Sequence, residues 1–128
     1  MKFIKIDKIF TIYIQAFFYL FAGVNHFIHP EFYLPLIPPY FEYPQTINLL
    51  AGIFEILAAI GLFIPAFRSR LSWLIIIMLI AFIPSHIYFI QIGANVDNGL
   101  STPMWIAYLR LLLIHPLLLV WAYRTRKF

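Results

Sequence analysis

The chain has 128 residues, the length of one domain, of which 63% are hydrophobic, 20% aromatic and 11% charged. A soluble domain carries roughly 25% charged residues, and disorder needs low hydrophobicity, so both classes are excluded. A formal charge of +4 leaves nucleic acid or lipid headgroups as partners, to be decided by where the basic residues stand.

With no cysteine in the chain, thiol relays, thiolate metal sites, iron–sulfur clusters and c-type haem attachment are also excluded. A bilayer core of about 30 Å needs roughly 20 apolar residues as helix. The first such run is residues 9–27, preceded by Lys2, Lys5 and Lys8. Its basic start resembles a signal peptide, but the apolar stretch exceeds the roughly 7–15 residues of such a region, so an uncleaved helix is expected. Asn25 and His26 stand at its outer end, followed by His29, Pro30 and Glu31. Histidines three apart share a helix face, as metal ligands do. The prolines that follow and the lack of a third ligand in register argue against a metal.

Residues 28–45 hold five prolines and cannot form one regular helix. With Phe32, Tyr33, Tyr40, Phe41 and Tyr43, this segment reads as an interfacial loop, in which Tyr33 and Tyr40 are candidates for a lid over a ligand.

The second span is residues 46–64. Asn48, Gly52, Glu55 and Ala59 form one small and polar stripe along it, which lets another helix approach. Glu55 lies about 13–14 Å below the outer end at helical rise. Pro65 ends the span, and Arg68 and Arg70 read as a connecting loop. In the third span, residues 71–92, Pro84 frees the carbonyl of Ile80 for Ser85 or a water, beside His86 at a depth of roughly 9 Å. A polar turn with Asn95, Asp97, Asn98 and Gly99 follows, and Thr102–Pro103 reads as a helix cap.

The fourth span is residues 103–123. Arg110 lies roughly 10 Å deep in it, and His115 is turned about 140° away around the helix. His115 is expected to bond the Leu112 carbonyl that Pro116 leaves free. A haem between His86 and His115 is disfavoured because their depths differ by about 9 Å at helical rise.

Alternating spans put eight of the nine Lys and Arg residues on one face. The opposite connections carry Glu31, Glu42 and Asp97 instead. The positive-inside rule makes that basic face, with both termini, cytoplasmic. The basic charge is thereby topological, and no nucleic-acid partner is expected. The fold expected is all-α: a polytopic membrane protein, one domain over residues 1–128, with four transmembrane helices in a bundle and an aromatic, proline-rich interfacial loop between helices 1 and 2.

Arg110 is the ninth basic residue. A charge at that depth costs at least ~2.5–3.5 kcal/mol, so it faces the interior, a partner or water. Glu55 is its natural partner, and His86 shares the depth band. Two readings stay open. One is a structural ion pair. The other is an outward-facing pocket in which Glu55 and His86 exchange protons while Arg110, Asn25, His26, Asn48, Ser85 and Tyr33 contact a ligand.

Several segments occur in a recognisable order: Ala22–Gly23–Val24–Asn25–His26–Phe27, Gly52–Ile53–Phe54–Glu55, Gly61–Leu62–Phe63–Ile64–Pro65, Pro84–Ser85–His86, and Leu109–Arg110–Leu111. In that order the chain resembles the small four-helix branch of the DoxX-like membrane proteins. The resemblance implies a bacterial inner-membrane protein, some relatives being subunits of oxidoreductases that pass electrons from reduced sulfur compounds to quinone. Relatives often carry Asn and Gln where His86 and His115 stand, so this chain adds groups that titrate near neutral pH. The expected function is redox-associated binding of a quinone or another lipid-soluble molecule. A scaffold subunit that recruits a redox partner protein, and a small lipid binder or transporter, are the alternatives. An oligomer is compatible with each.

Overall fold

In the computed structural model, residues 2–97 and 99–128 are described, with residues 2–6 by backbone alone. Asn98 of the expected polar turn, and the side chains of Lys2 and Lys5, lie outside the described residues.

The described residues are helical with one isolated bridge pair. Helix α1 runs over Lys2–Ile28. A short helix α2, Pro30–Tyr33, and a 3-10 turn, Leu34–Leu36, follow, and α3 spans Pro44–Phe63. Helix α4, Pro65–Ala81, continues after Phe82 as α5, Ile83–Gln91. Helix α6, Met104–Leu109, passes through a π-helical turn, Arg110–Ile114, into α7, His115–Thr125. Four stretches are long and apolar enough to cross a membrane: Asp7–Ile28, Pro44–Phe63, Pro65–Gln91 and Met104–Thr125.

The third span starts six residues earlier than its apolar run suggests. Proline lacks an N–H, but the first turn of a helix leaves its N–H groups unbonded anyway. Pro65 therefore stops α3 and opens α4 with only Ile64 between them. Arg68 and Arg70 lie in the first turns of α4, not in a loop, and Arg68 Nε donates to the Leu62 carbonyl at the end of α3. Thr102 does not cap the fourth span. Pro103 is the flanking residue, and the Thr102 amide instead donates to the Ala94 carbonyl. That bond, with Val96 N–H to Leu100 O and the left-handed Gly93 that ends α5, folds the 93–102 connection back onto Phe89 and Ala107.

Packing runs α1 against α3, α3 against α4 and α4 against α7. Helices α1 and α3 cross where Gly23 faces Gly52. A Cβ at Gly52 would lie 2.9 Å from His26 Cβ and 3.0 Å from the Gly23 carbonyl. Without glycine at that crossing the two backbones could not approach so closely. Tyr19, Ala59, Leu62, Ile75 and Ala122 form the core between helices at the end bearing the termini. The start of the first span and the end of the last meet at that end, where the Lys8 ammonium sits 5.3 Å from the Phe128 ring centroid. Outward-facing residues such as Phe10, Phe21, Ile77 and Leu112 are largely exposed, an apolar surface that suits lipid contact.

Candidate functional site

The Gly23–Gly52 crossing sets the first half of the site, because it presses the end of α1 onto the polar stripe of α3. The Asn48 amide nitrogen donates to the His26 carbonyl at 3.0 Å, and this fixes which way the amide points. Asn48 Oδ1 then faces His26 Nδ1 at 2.7 Å, so Nδ1 carries a hydrogen. His26 Nε2 is left facing Glu55 Oε2 at 3.4 Å. Two bare acceptors there would repel, so one proton belongs to the pair, either on the carboxyl or on the imidazole. His26 and Glu55 are both buried.

Glu55 therefore pairs with His26 and not with Arg110, the partner that depth alone suggests. Depth counts residues along each helix, whereas the pairing depends on how closely α1 and α3 approach. Among the described residues, Arg110 has no carboxylate within ion-pair distance. Its guanidinium lies over the Phe89 ring, 5.4 Å from the centroid.

The π-helical turn builds the second half. The His115 amide donates to the Arg110 carbonyl, five residues back. Five residues of α-helix would turn His115 about 140° off, but the wider turn returns it to the same side, and both residues line one cavity. His115 does not bond the Leu112 carbonyl. Its Nε2–H donates to the Leu79 carbonyl of α4. The His86 and His115 ring centroids are 4.8 Å apart, edge to face, so the rings meet although their positions along the helices suggest a gap in depth. Side chains lean toward the N-terminus of their helix. His86 and His115 sit on helices of opposite direction, so they lean toward each other. Rings in contact leave no room for a macrocycle between them.

The cavity has a volume of about 320 Å³ and is lined by His26, Asn48, Glu55, Ser85, His86, Arg110 and His115 among mostly apolar side chains. Its size falls within the roughly 300–1,000 Å³ of small-molecule sites, and so does its character, apolar walls with a few convergent polar groups. Tyr33 forms the roof, stacked on His26 with centroids 3.7 Å apart and planes at 18°. Asn25 Nδ2 donates to the Tyr33 hydroxyl at 2.9 Å, and burial raises that phenol above its ordinary pKa. Asn25 thus acts through Tyr33, itself lining a shallower outer cleft with His29 and Glu31. His29 bonds Glu31 at 3.0 Å out in the open, apart from His26, so the three do not converge. Tyr40 is 69% exposed and lies outside the cavity.

Sequence reasoning passes over Tyr19, Phe89 and His115 as lining residues. Tyr19 could have been found, since it precedes His26 by seven residues and so shares its face of α1. His115 could not, because no periodicity announces a π turn.

A family model described as Domain of unknown function (DUF8561) matches residues 15–126. No curated protein and no solved structure matches the chain.

Proposed function

The chain belongs to the DUF8561 family, whose model covers it from Gln15 to Arg126, and for this member we propose binding of a quinone, or a lipid-soluble molecule of like chemistry, in the cavity beneath Tyr33. The proposal places the four spans as a bundle in a bacterial inner membrane. Both termini are cytoplasmic, and the 28–45 loop lies at the outer interface. One observation carries the reading. Arg110 lines an apolar-walled cavity without an acidic partner among the described residues, while the wall built by α1 and α3 sets His26 Nε2 and Glu55 Oε2 3.4 Å apart.

A guanidinium offers five N–H donors and no acceptor, so the group that completes Arg110 is an electronegative oxygen. A quinone supplies one carbonyl to each wall and a flat apolar ring to the space between. Its reduction to quinol takes up two electrons and two protons. Electrons come from a redox partner protein. Glu55, through His26, and His86, beside Arg110, are the groups placed to give or take the protons. The resemblance to DoxX-like proteins supports the same ligand class.

The test is equilibrium binding of a radiolabelled short-tailed benzoquinone to the protein in lipid nanodiscs, corrected for partition into empty discs. Saturable binding at one site is expected, weakened about tenfold or more, ~1.4 kcal/mol, by Arg110→Met. Binding no greater than in empty discs overturns the reading. So does full affinity in a correctly assembled Glu55→Gln/Arg110→Met double variant.

A further inference from the structure

From the cavity toward the end bearing the termini, the core contains buried polar side chains, most of which have no role in the proposed ligand chemistry. The amide of Gln15 and the hydroxyl of Ser72 are 0% exposed, and the hydroxyl of Tyr19 belongs to a residue 2% exposed. None of these groups has a hydrogen-bond partner among the described residues. The same holds for Trp121 Nε1, for Arg126 Nε and for Glu55 Oε2, whose 3.4 Å approach to His26 Nε2 is not a hydrogen bond. Among the described residues one further such atom, the Thr102 hydroxyl, lies in the 93–102 connection. Their positions are ordered. Glu55 and Tyr19 line the cavity. One turn further toward the termini on α1 comes Gln15, and Ser72 stands one turn before core residue Ile75 on α4. Trp121 and Arg126 lie on and just after the last turns of α7, at the end where Arg126 covers the Tyr123 ring at 4.1 Å. The core cluster at this end includes four small residues, Ala16, Ala58, Ala59 and Ala122.

An unpaired amide or hydroxyl in an apolar interior is costly, so orphans spaced along the helices from the cavity to the end bearing the termini call for a common partner. Amide, hydroxyl and phenol both donate and accept, and the indole donates, so together they suit a file of water molecules. We infer that Tyr19, Gln15, Ser72 and Trp121 line a narrow water path from the end bearing the termini to Glu55, along which the protein takes up protons from that side. The inference rests on the proposed proton exchange by Glu55 and His26, and adds the side from which protons arrive. A proton entering beside Arg126 passes along the file and ends on the Glu55 carboxylate, and the ligand is served from the opposite, outer half. Ligand entry and proton entry are thereby on different faces.

The absence of native cysteine allows a clean test. Gln15→Cys, Ser72→Cys and, as a dry control buried in the separate cluster with Phe89 and Ala94, Ala107→Cys are reconstituted into vesicles of known orientation. Silver ion, small enough to travel a water file, is added to one face at a time. Loss of later thiol labelling in the unfolded protein reads the reaction. Because only a hydrated thiol ionises and reacts, Gln15→Cys and Ser72→Cys are expected to react about tenfold or more faster than Ala107→Cys, and only from the face bearing the termini. Serine and cysteine are close in size, so the Ser72 variant guards against loss of fold. Rates equal to Ala107→Cys, reaction only from the opposite face, or equal reaction from both faces each overturn the path. Silver does not involve the ligand. Quinone binding without silver access therefore refutes the path alone, and silver access without quinone binding refutes the ligand reading alone.

Discussion

Arg110 and His115 stand five residues apart and line the same cavity, because the His115 amide donates to the Arg110 carbonyl across a π-helical turn. Pro116 gives the turn its reason. In a regular helix its ring would clash with the Leu112 carbonyl, and widening the preceding turn relieves the contact. The loose turn is thus a device that adds a histidine to the arginine's wall.

Replacing that proline tests the device. Pro116→Ala restores an N–H, removes the clash and favours a regular α-helical turn, which rotates Arg110 and His115 apart. The fold should hold, with the melting temperature unchanged or raised, while benzoquinone affinity drops about tenfold, ~1.4 kcal/mol. Unchanged affinity in Pro116→Ala would show that the turn serves packing alone.

Gly52→Ala probes the crossing that brings His26 to Glu55. The new methyl would lie 2.9 Å from both His26 Cβ and Phe27 Cε2, closer than carbon atoms tolerate. Overpacking of this kind costs about 1–3 kcal/mol, partly offset by the better helix propensity of alanine, about 1 kcal/mol. Net destabilisation in a thermal melt is expected, with lost benzoquinone binding, since the 2.7 Å and 3.4 Å contacts of His26 cannot both survive separation of the helices. A fully stable, fully binding Gly52→Ala protein would mean that α1 and α3 do not cross at these glycines.

The four spans and their breaks are legible in the sequence because apolar run length and proline position are properties of a line. The shared depth of Glu55, His86 and Arg110 is legible for the same reason. Which of them meet is not, because that is decided across helices. Gly23 and Gly52 set how near α1 comes to α3, and opposed side-chain lean joins His86 to His115. Pro65 shows the ambiguity within a single residue, since proline marks both the end of one helix and the first turn of the next. Gln15 and Tyr19 carry a signal that the acidic and basic residues overshadow. They are two polar groups four apart in an apolar span, hence on one face.

Asn48 is expected to hold His26 in one tautomer. Its amide donates to the His26 carbonyl and accepts from Nδ1, so Asn48→Leu leaves two buried groups unpaired. A loss of about 1–3 kcal/mol in unfolding free energy follows. Nitrogen NMR of labelled histidine gives the sharper readout. The intact protein should show Nδ1 of His26 protonated, and Asn48→Leu should lose that single state. An Nε2-protonated neutral His26 in the intact protein would contradict the proton count at Glu55.

Tyr33 separates a lid from an anchor. Its ring covers His26, and Asn25 holds its hydroxyl, so Tyr33→Phe keeps the stacked roof and loses one bond worth roughly 0.5–1.5 kcal/mol. Tyr33→Ala removes the roof. If the roof gates the cavity, stopped-flow mixing with benzoquinone in nanodiscs should show association and dissociation both faster in Tyr33→Ala, with the equilibrium affinity moved less than either rate. Tyr33→Phe should stay close to the parent. Tyr40→Ala should match the parent in both rates, because Tyr40 is exposed and outside the cavity. If Tyr33→Ala instead lowers the amount of assembled protein and leaves both rates alone, Tyr33 is an interfacial anchor and the cavity has no lid there.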